Sequence, residues 1–218
     1  MTPEIAEFIG ILIGDGHIGD GGFSIAGHSI NDKEYLLGHV TDLIEKLFGI
    51  APKIIFKKDQ QTMYLRLRSV MILDYLEKIG LKKGPKNDIK IPSWIYDNEV
   101  YMKQFLRGMV DTDGSLAIKK RYKKVPYYPV ISIVSKNKDF IFIIADWLKK
   151  RDFYLWVGME KKKEHRIGYN DTIISRVQLS GYSNFNRWQE MRGFSNPRHI
   201  AKFNLVGRVG VSPTIKRP

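Results

Sequence analysis

The sequence predicts an α+β protein built from two similar halves that are related by a pseudo-two-fold axis. A nine-residue pattern occurs twice, at residues 8–16 (FIGILIGDG) and at residues 106–114 (LRGMVDTDG), and each copy is an apolar run that ends in Asp-Gly. Around each copy the hydrophobic periodicity predicts the same order of elements, αββαββα. We therefore divide the chain into an N-terminal repeat, residues 1–97, and a C-terminal repeat, residues 98–218.

The two nonapeptides are predicted to form helices that pack against each other. In each copy the third and seventh positions are small: Gly10 and Gly14 in the first, Gly108 and Thr112 in the second. Residues four apart lie on one face of a helix, and small residues there let another backbone approach closely. This pairing would bring Asp15 and Asp113, at the ends of the helices, side by side.

Alternating and helical patterns place the other elements. In the first repeat we expect a motif helix that begins at Thr2-Pro3, strands at 23–28, 52–58 and 62–69, and helices at 33–48 and 70–79. In the second repeat we expect helices at 98–110, from 138 and at 183–192, and strands at 116–124, 127–134, 154–162 and 172–180. Segments 81–90 and 194–199 are predicted to be loops.

Composition indicates a polyanionic partner. The chain of 218 residues carries a net charge of +13, and a strongly basic globular domain most often binds nucleic acid. The charge is uneven, since residues 1–97 have a net charge of −1 and residues 98–218 a net charge of +14. The alternative interpretation of the charge is a thermophile surface.

The sequence also excludes several classes of protein. It contains no cysteine, so neither disulfides nor thiolate metal sites are available. No apolar stretch reaches the roughly 18 residues of a membrane span, and the N-terminus lacks the basic region and cleavage site of a secretory signal. We expect a soluble intracellular protein without a membrane partner, in the cytoplasm of a prokaryote or in an organelle matrix.

The paired acids favour a divalent metal site. A carboxylate at a helix C-terminus faces the negative end of the helix dipole, and two such groups close together repel each other. Mg²⁺, which takes carboxylate, carbonyl and water oxygens, resolves both conflicts, and it suits phosphodiester hydrolysis. For either copy taken alone, the alternative to a metal site is that Asp-Gly simply ends a helix. Its occurrence in both copies favours a site formed by Asp15 and Asp113.

Basic residues alternate with apolar ones along the predicted strands, which gives a sheet with an apolar back and a cationic front. Such a β-ribbon can enter the DNA major groove, where Arg, Lys and Gln read base edges. The candidate DNA contacts are Arg66, Arg68, Lys119, Arg121, Lys161, Arg176 and Gln178. The basic runs at 119–124 and 161–163 are better placed for phosphate contacts at loop tips. For each single residue, a solvated surface remains the alternative.

Four further polar residues are candidates for the edge of the site. Lys86 and Arg198 occupy matching loops after matching helices, where a cation near the scissile phosphate would stabilise developing charge; a generic basic loop is the alternative. His28 ends a strand on its polar face, and Ser135 is its approximate counterpart. The four tryptophans, Trp94, Trp147, Trp156 and Trp188, are assigned to the core.

With both motifs in view, residues 4–205 resemble a LAGLIDADG homing endonuclease of the monomeric, two-motif type. The second nonapeptide is the closer match; the first has Ile13 where the family often carries an acid, but it retains Asp15. The resemblance implies two αββαββα repeats that form a saddle over the DNA major groove. It also implies metal-dependent hydrolysis of both strands of a long double-stranded target, leaving four-base 3′ overhangs.

The resemblance also implies roles for individual residues. Asp15 and Asp113 would be the metal-binding catalytic acids, with backbone carbonyls of Gly14 and Thr112 as further ligands. Mg²⁺ would be the cofactor, with Mn²⁺ or Ca²⁺ as substitutes. Lys86 and Arg198 would be peripheral catalytic cations, and His28 and Ser135 would lie near DNA, although Ser135 replaces the glutamine often found there.

Two other functions remain open on the same fold. An RNA maturase would bind its own intron RNA, with or without DNA cleavage. A non-catalytic DNA-binding regulator usually loses the acids and carries an additional DNA-binding module, and this sequence shows neither feature. Without cysteine or flanking self-splicing segments, the sequence resembles a free-standing, intron-encoded enzyme rather than an intein insert.

Overall fold

A computed structural model describes residues 1–19, 21–57, 60–84, 86–121, 125–162 and 171–209. The first repeat contains α1 (Pro3–Gly14), β1 (Gly16–Gly19), β2 (Gly22–His28), α2 (Lys33–Tyr35), a π-helical turn (Leu36–Val40), α3 (Thr41–Phe48), β3 (Lys53–Lys57), β4 (Thr62–Arg68) and α4 (Val70–Lys78). A short helix, α5 (Ser93–Tyr96), leads to the second repeat. No helix in these ranges is long and apolar enough to cross a membrane.

The second repeat follows the same order. It contains α6 (Glu99–Thr112), β5 (Ser115–Arg121), β6 (Val125–Ser135), α7 (Lys138–Lys149), β7 (Leu155–Lys162), β8 (Thr172–Ser180), α8 (Tyr182–Met191) and α9 (Pro197–Val209). Each repeat forms one antiparallel four-stranded sheet, with strand orders β1-β2-β4-β3 and β5-β6-β8-β7. The predicted α+β class and the two αββαββα repeats are therefore confirmed.

The strand registers match between the two sheets. Ser24 lies opposite His17 on one side and Arg66 on the other, as Ser132 lies opposite Ser115 and Gln178. Because Ser24 corresponds to Ser132, the offset between repeats is 108 there, against 98 between Asp15 and Asp113. The second repeat therefore has a first hairpin that is ten residues longer. The tips of its two hairpins, 122–124 and 163–170, lie outside the described residues, and so do the predicted phosphate contacts there.

Alternation along each strand separates a helix-packed face from an open face. Phe23, Ile25, Met63, Leu65 and Leu67 are buried on the packed face of the first sheet, and Ile131, Ile133, Val177 and Leu179 on that of the second. Side chains at the intervening positions share the other face of each sheet. We call it the open face; it carries Ser24, His28 and Arg66 in the first sheet and Ser132, Arg176 and Gln178 in the second.

Several elements differ from the sequence prediction, among them the short helix α5 and a 3₁₀ turn at Lys86–Asp88 inside the predicted loop 81–90. The predicted αββαββα order requires a strand before β2, but no bounds were assigned to β1, because its four residues, two of them glycine, give no periodic signal. The predicted helix 33–48 is interrupted by the π-helical turn, where the Thr41 hydroxyl donates to the carbonyl of Leu36 (2.8 Å). The last three residues of the predicted loop 194–199 form the start of α9, since Pro197 suits a first helical turn and the Asn196 side chain accepts from the amide of Arg198 (3.0 Å).

Candidate active site

The two motif helices meet at their glycines, as the sequence predicts. A Cβ atom at Gly10 would overlap the carbonyl oxygen of Phe105, and a Cβ at Gly108 would overlap the carbonyl oxygen of Glu7. One turn further on, a Cβ at Gly14 would overlap the side chain of Thr112. α1 and α6 therefore pack backbone to backbone, and the small residues set how closely the two helix ends approach.

Asp15 and Asp113 cap the C-termini of these helices. The amide of Asp15 donates to the carbonyl of Ile11 (3.1 Å), and the amide of Asp113 donates to the carbonyl of Met109 (3.0 Å). Asp15 also accepts the amide of Ala26 at its carbonyl (3.1 Å), which fixes the helix end to the first sheet. Both carboxylates thus lie at the negative ends of helix dipoles, as predicted.

The surroundings of Asp15 make its negative charge costly. Burial is the main cause, and the neighbouring carboxylates of Asp113 and Asp32 add to it, so that the pKa of Asp15 is raised to about 7 in spite of the positive charges of Lys86 and Arg198. Asp113 is the more accessible of the pair, but partial desolvation still raises its pKa, and Lys86 opposes that shift. The backbone amide of Asp113 lies against Gly14, directly before Asp15, so the fold brings the two acids together.

Lys86 reaches the end of α1. Its ammonium group donates to the carbonyl oxygens of Ile13 (2.9 Å) and Gly14. Burial lowers the pKa of Lys86, while the negative charges of Asp113 and Asp15 oppose that shift. The carbonyl of Gly14, which the resemblance proposes as a metal ligand, therefore already faces a cation. Thr112 directs its hydroxyl back to the carbonyls of Gly108 (2.9 Å) and Met109 (3.1 Å).

Arg198 has a different partner from Lys86, although the two occupy matching positions. The Arg198 guanidinium pairs with Oδ1 of Asp32 (3.3 Å), a residue of the other repeat. The second carboxylate oxygen of Asp32 accepts the amide of His28 (3.1 Å). In the second repeat Asn137 takes the corresponding helix-start position and donates to the carbonyl of Ile89 (3.0 Å). The pairing of Asp32 with Arg198 was not among the sequence predictions, because it joins residues of different repeats.

A second missed residue is Asp111, at the sixth position of the second nonapeptide. It is fully buried and accepts the amide of Ser195 (2.6 Å) and the ring of His199 (Nδ1 to Oδ1, 3.3 Å). The carbonyl of Asp111 accepts the Asn196 side chain (2.9 Å). Asp111 therefore anchors the segment that carries Arg198. The first nonapeptide has Ile13 at this position, so the two edges of the site are built differently.

The donor set fits a hard divalent cation. Asp15, Asp113 and the Gly14 carbonyl offer oxygen atoms of the kind that Mg²⁺ prefers. Among the described residues, no group of three or more His, Asp or Glu side chains is gathered at one point. A metal here would therefore complete its coordination with backbone carbonyls, water and the phosphate of a bound nucleic acid.

The open face of the first sheet carries the predicted arginines. Arg66 and Arg68 are exposed, and together with His17 and Ser24 they line a depression of about 290 Å³. His17 was not among the predicted residues, because no predicted strand included it. The ring nitrogen Nδ1 of His28 accepts the amides of Ile30 (3.2 Å) and Asn31 (3.3 Å), so His28 also stabilises the turn after its strand.

The predicted contacts of the second sheet are arranged less uniformly. On the open face, Arg176 pairs with Glu160 (3.0 Å), and Gln178 donates to the hydroxyl of Ser180 (2.9 Å). Lys161 pairs with Asp171 at the far end of its hairpin (2.9 Å). Lys119 is exposed on the open face. Arg121 lies in β5 opposite Val125, and its side chain is outside the described part of the chain.

Two sequence assignments need correction. Ser135 faces the helix-packed side opposite Ser175, and its hydroxyl accepts the amide of Asn137 (3.1 Å). Counting four residues on from Ser24 and Ser132 gives His28 and Lys136, so Ser135 is one residue away from the position of His28 and on the opposite face. Trp147 and Trp188 are buried as predicted, but Trp156 is 50% exposed on the open face and is not a core residue.

A buried ion-pair network joins the motif helices a few residues before the site. The Glu7 carboxylate is almost fully buried and accepts from Arg107 (3.1 and 2.5 Å) and from the ring of His39 (2.7 Å). Arg107 lies on α6 and His39 on the π-helical turn. Burial alone would raise the pKa of Glu7, but the hydrogen bonds from His39 and Arg107 outweigh it, and the pKa of Glu7 is lowered.

Removing one partner of this network is expected to destabilise the fold. Arg107→Ala leaves Glu7 buried and less well compensated, which typically costs about 3–5 kcal/mol. Lys103→Ala is the matched control, since Lys103 lies one turn away and pairs with Glu99 in an exposed i,i+4 bridge worth at most about 0.5 kcal/mol. The lowered pKa of Glu7 means that its ionised form stabilises the folded protein above pH 4.5, and that this contribution is lost on acidification. The loss of stability caused by Arg107→Ala should therefore shrink towards pH 3. Urea unfolding at pH 7 and pH 3 measures both effects, and equal losses for the two variants would contradict the role of the network.

Two αββαββα repeats that meet through paired glycine-bearing helices, each ending in an acid, define a two-repeat protein of the LAGLIDADG fold. The family comparison agrees, since residues 101–183 match the family model described as a LAGLIDADG-like domain. The resemblance noted from the sequence is thereby confirmed.

Solved structures share this architecture along most of the chain. The I-LtrWI LAGLIDADG homing endonuclease bound to target DNA matches with a TM-score of 0.62 at 13% identity, covering 95% of this chain and 90% of that one. I-DmoI in complex with DNA and Ca matches with a TM-score of 0.58 at 18% identity, covering 94% and 97%. Full-length DUF199/WhiA from Thermatoga maritima matches with a TM-score of 0.59 at 13% identity, covering 98% of this chain and 62% of that one. These likenesses show the fold.

Two curated relatives are much longer proteins than this chain. The replication factor C small subunit of Methanocaldococcus jannaschii is 26% identical over 205 residues, which is 92% of this chain and 10% of that protein. The tRNA-splicing ligase RtcB of Methanopyrus kandleri is 26% identical over 211 residues, 87% of this chain and 20% of that protein. The chain thus spans a tenth to a fifth of these relatives.

Proposed function

We propose that this protein is a site-specific DNA endonuclease that uses a divalent metal to hydrolyse both strands of a long duplex target and leaves four-base 3′ overhangs. The observation that carries the proposal is the pair of acids, Asp15 and Asp113, held together by the glycine-mediated contact of α1 and α6. The fold, shared with homing endonucleases solved in complex with DNA, supports the choice of substrate.

Within this proposal, each charged residue has a distinct task. Asp15 and Asp113, with the carbonyls of Gly14 and Thr112, would hold Mg²⁺, for which Mn²⁺ or Ca²⁺ could substitute. Bound metal would supply an activated water and neutralise charge on the leaving 3′ oxygen. Lys86 lies close enough to both acids to compensate their charge. Its ammonium group donates to the Gly14 carbonyl, and it would give up this contact when that carbonyl binds the metal.

The open faces of the two sheets would hold the DNA. Arg66, Arg68 and Gln178, on these faces, would reach base edges in the major groove, where Arg reads guanine and Gln reads adenine. Lys119 and Lys161 are better suited to phosphate contacts, because they lie away from the acids along their hairpins. The +14 charge of residues 98–218 indicates that the second half-site is held more strongly by phosphate contacts.

Two alternatives use the same fold. DUF199/WhiA shares the fold with the homing endonucleases, so a DNA-binding regulator is one alternative. Retention of both acids at the helix crossing favours the nuclease. An intron maturase is the second alternative. A splicing assay with its own intron RNA would distinguish it from the nuclease. We further propose that the protein acts as a monomer inside the cell, because both halves of the site lie on one chain.

Cleavage of a randomised duplex library in Mg²⁺, followed by sequencing of the cut ends, tests the proposal. We expect one long consensus, cut on both strands with four-base 3′ overhangs, because two acids at one crossing serve one scissile phosphate on each strand. Omission of metal should stop cutting. A selected consensus that is bound but never cut in Mg²⁺ or Mn²⁺ would favour the regulator, and no selected duplex at all would leave the maturase as the better function.

A further inference from the structure

Trp156 has an unusual position for a tryptophan in a core-forming strand. Its neighbours Leu155 and Val157 pack against the core, so alternation turns Trp156 to the open face of the second sheet. There it lies opposite Gln178 and is 50% exposed. A large apolar side chain is therefore presented on the surface that is proposed to face DNA.

The glycine two residues further along β7 makes room for the ring. A Cβ atom at Gly158 would overlap the six-membered ring of Trp156, so only glycine leaves room for the indole to lie along the strand in this way. The indole therefore lies over the backbone of Gly158, and a side chain that already rests on the protein loses less conformational freedom on binding than one that extends into solvent. Gly158 thus has a packing role that its position in a strand would not otherwise suggest.

The polar neighbours of Trp156 are also held in place. The Gln178 amide donates to Ser180 (2.9 Å), and Arg176, which lies opposite Gly158, pairs with Glu160 (3.0 Å). The ring therefore stands among hydrogen-bonding groups that suit base edges. In the major groove the apolar feature of a base edge is the 5-methyl group of thymine, and apolar side chains contact it.

We propose that Trp156 is a specificity-determining residue that contacts the 5-methyl group of a thymine in the half-site bound by the second sheet. This inference rests on the proposed function. The first sheet has no equivalent, because Lys53 lies opposite Arg66 where Trp156 lies opposite Gln178, and Ile55 takes the place of Gly158. Methyl-dependent reading by a tryptophan is therefore confined to one half of the target.

A deoxyuridine scan of the selected target tests this contact, since deoxyuridine lacks only the methyl group. Each thymine of both half-sites is replaced singly, and binding is measured in EDTA so that cleavage does not interfere. We expect that replacement at one position in the second half-site will weaken binding by about fourfold, which corresponds to the loss of one buried methyl group. Trp156→Ala should bind the thymine and deoxyuridine duplexes equally at that position, while Trp156→Phe should retain part of the difference.

Met159→Ala is the matched control, because Met159 is an exposed apolar residue of the same strand on the opposite face. It should show the same deoxyuridine sensitivity as the wild type. The inference is overturned if no position in that half-site is methyl-sensitive, if the half-site contains no thymine, or if Trp156→Ala keeps the wild-type sensitivity. These results differ from failure of the proposed function, in which the wild type cuts no duplex in Mg²⁺ whether or not it binds one.

Discussion

Asp15→Asn and Asp113→Asn are each expected to abolish cleavage of the target duplex and to leave specific binding largely intact. An amide cannot supply the negative charge that holds a divalent metal at the helix crossing, so the cleavage rate should fall by about 1,000-fold or more, equivalent to about 4 kcal/mol of lost transition-state stabilisation. Single-turnover cleavage in Mg²⁺ and equilibrium binding in EDTA measure the two properties separately.

Asp74→Asn is the control for this pair of variants. It makes the same chemical change at an exposed residue of α4, away from the site. It should cut at the wild-type rate. If the two active-site variants also cut at the wild-type rate, then Asp15 and Asp113 do not hold the catalytic metal.

The same Asp15→Asn variant should be more stable than the wild type at neutral pH. The pKa of Asp15 rises from 3.8 to about 7 in the folded protein, so ionisation of this group costs stability as pH rises between these values. Asparagine removes that cost. In EDTA, the gain in free energy of unfolding should be absent below pH 4 and largest above pH 7, which urea unfolding across this range measures. A gain in stability that does not vary with pH would show that ionisation of Asp15 does not destabilise the folded protein.

Gly10→Ala is expected to destabilise the protein and to reduce cleavage together. The new Cβ would overlap the carbonyl oxygen of Phe105, which is backbone and cannot move aside, so α1 and α6 must separate. Overpacking of this kind typically costs about 1–3 kcal/mol, and a rigid backbone contact places the loss at the upper end or above. Separation would also move Asp15 away from Asp113. Urea unfolding and cleavage of the selected duplex report the two losses.

Gly38→Ala provides the matched control, since a Cβ at Gly38 meets no atom within 4 Å. It should be neutral or slightly stabilising through its effect on the unfolded chain. Gly108→Ala should resemble Gly10→Ala, and because both open the same interface, the double variant should lose less than the sum of the two. Equal stability of Gly10→Ala and Gly38→Ala would show that the crossing tolerates a larger separation.

The sequence by itself determined the repeat, the pairing of the motif helices and the meeting of Asp15 with Asp113. These features depend on patterns within one element and on their duplication. The spacing of Gly10 and Gly14 already defines a helix face that another backbone can approach, and the second copy supplies the partner.

Tertiary structure decided the contacts that cross between repeats. Arg198 meets Asp32, and Arg107 meets Glu7, only because α1 and α6 cross at one place, which no local pattern specifies. Register decided the faces as well: a shift of one residue moves a side chain to the opposite face of a sheet. For that reason Ser135 lies on the packed side, and Trp156, assigned from sequence to the core, lies on the open face beside Gln178.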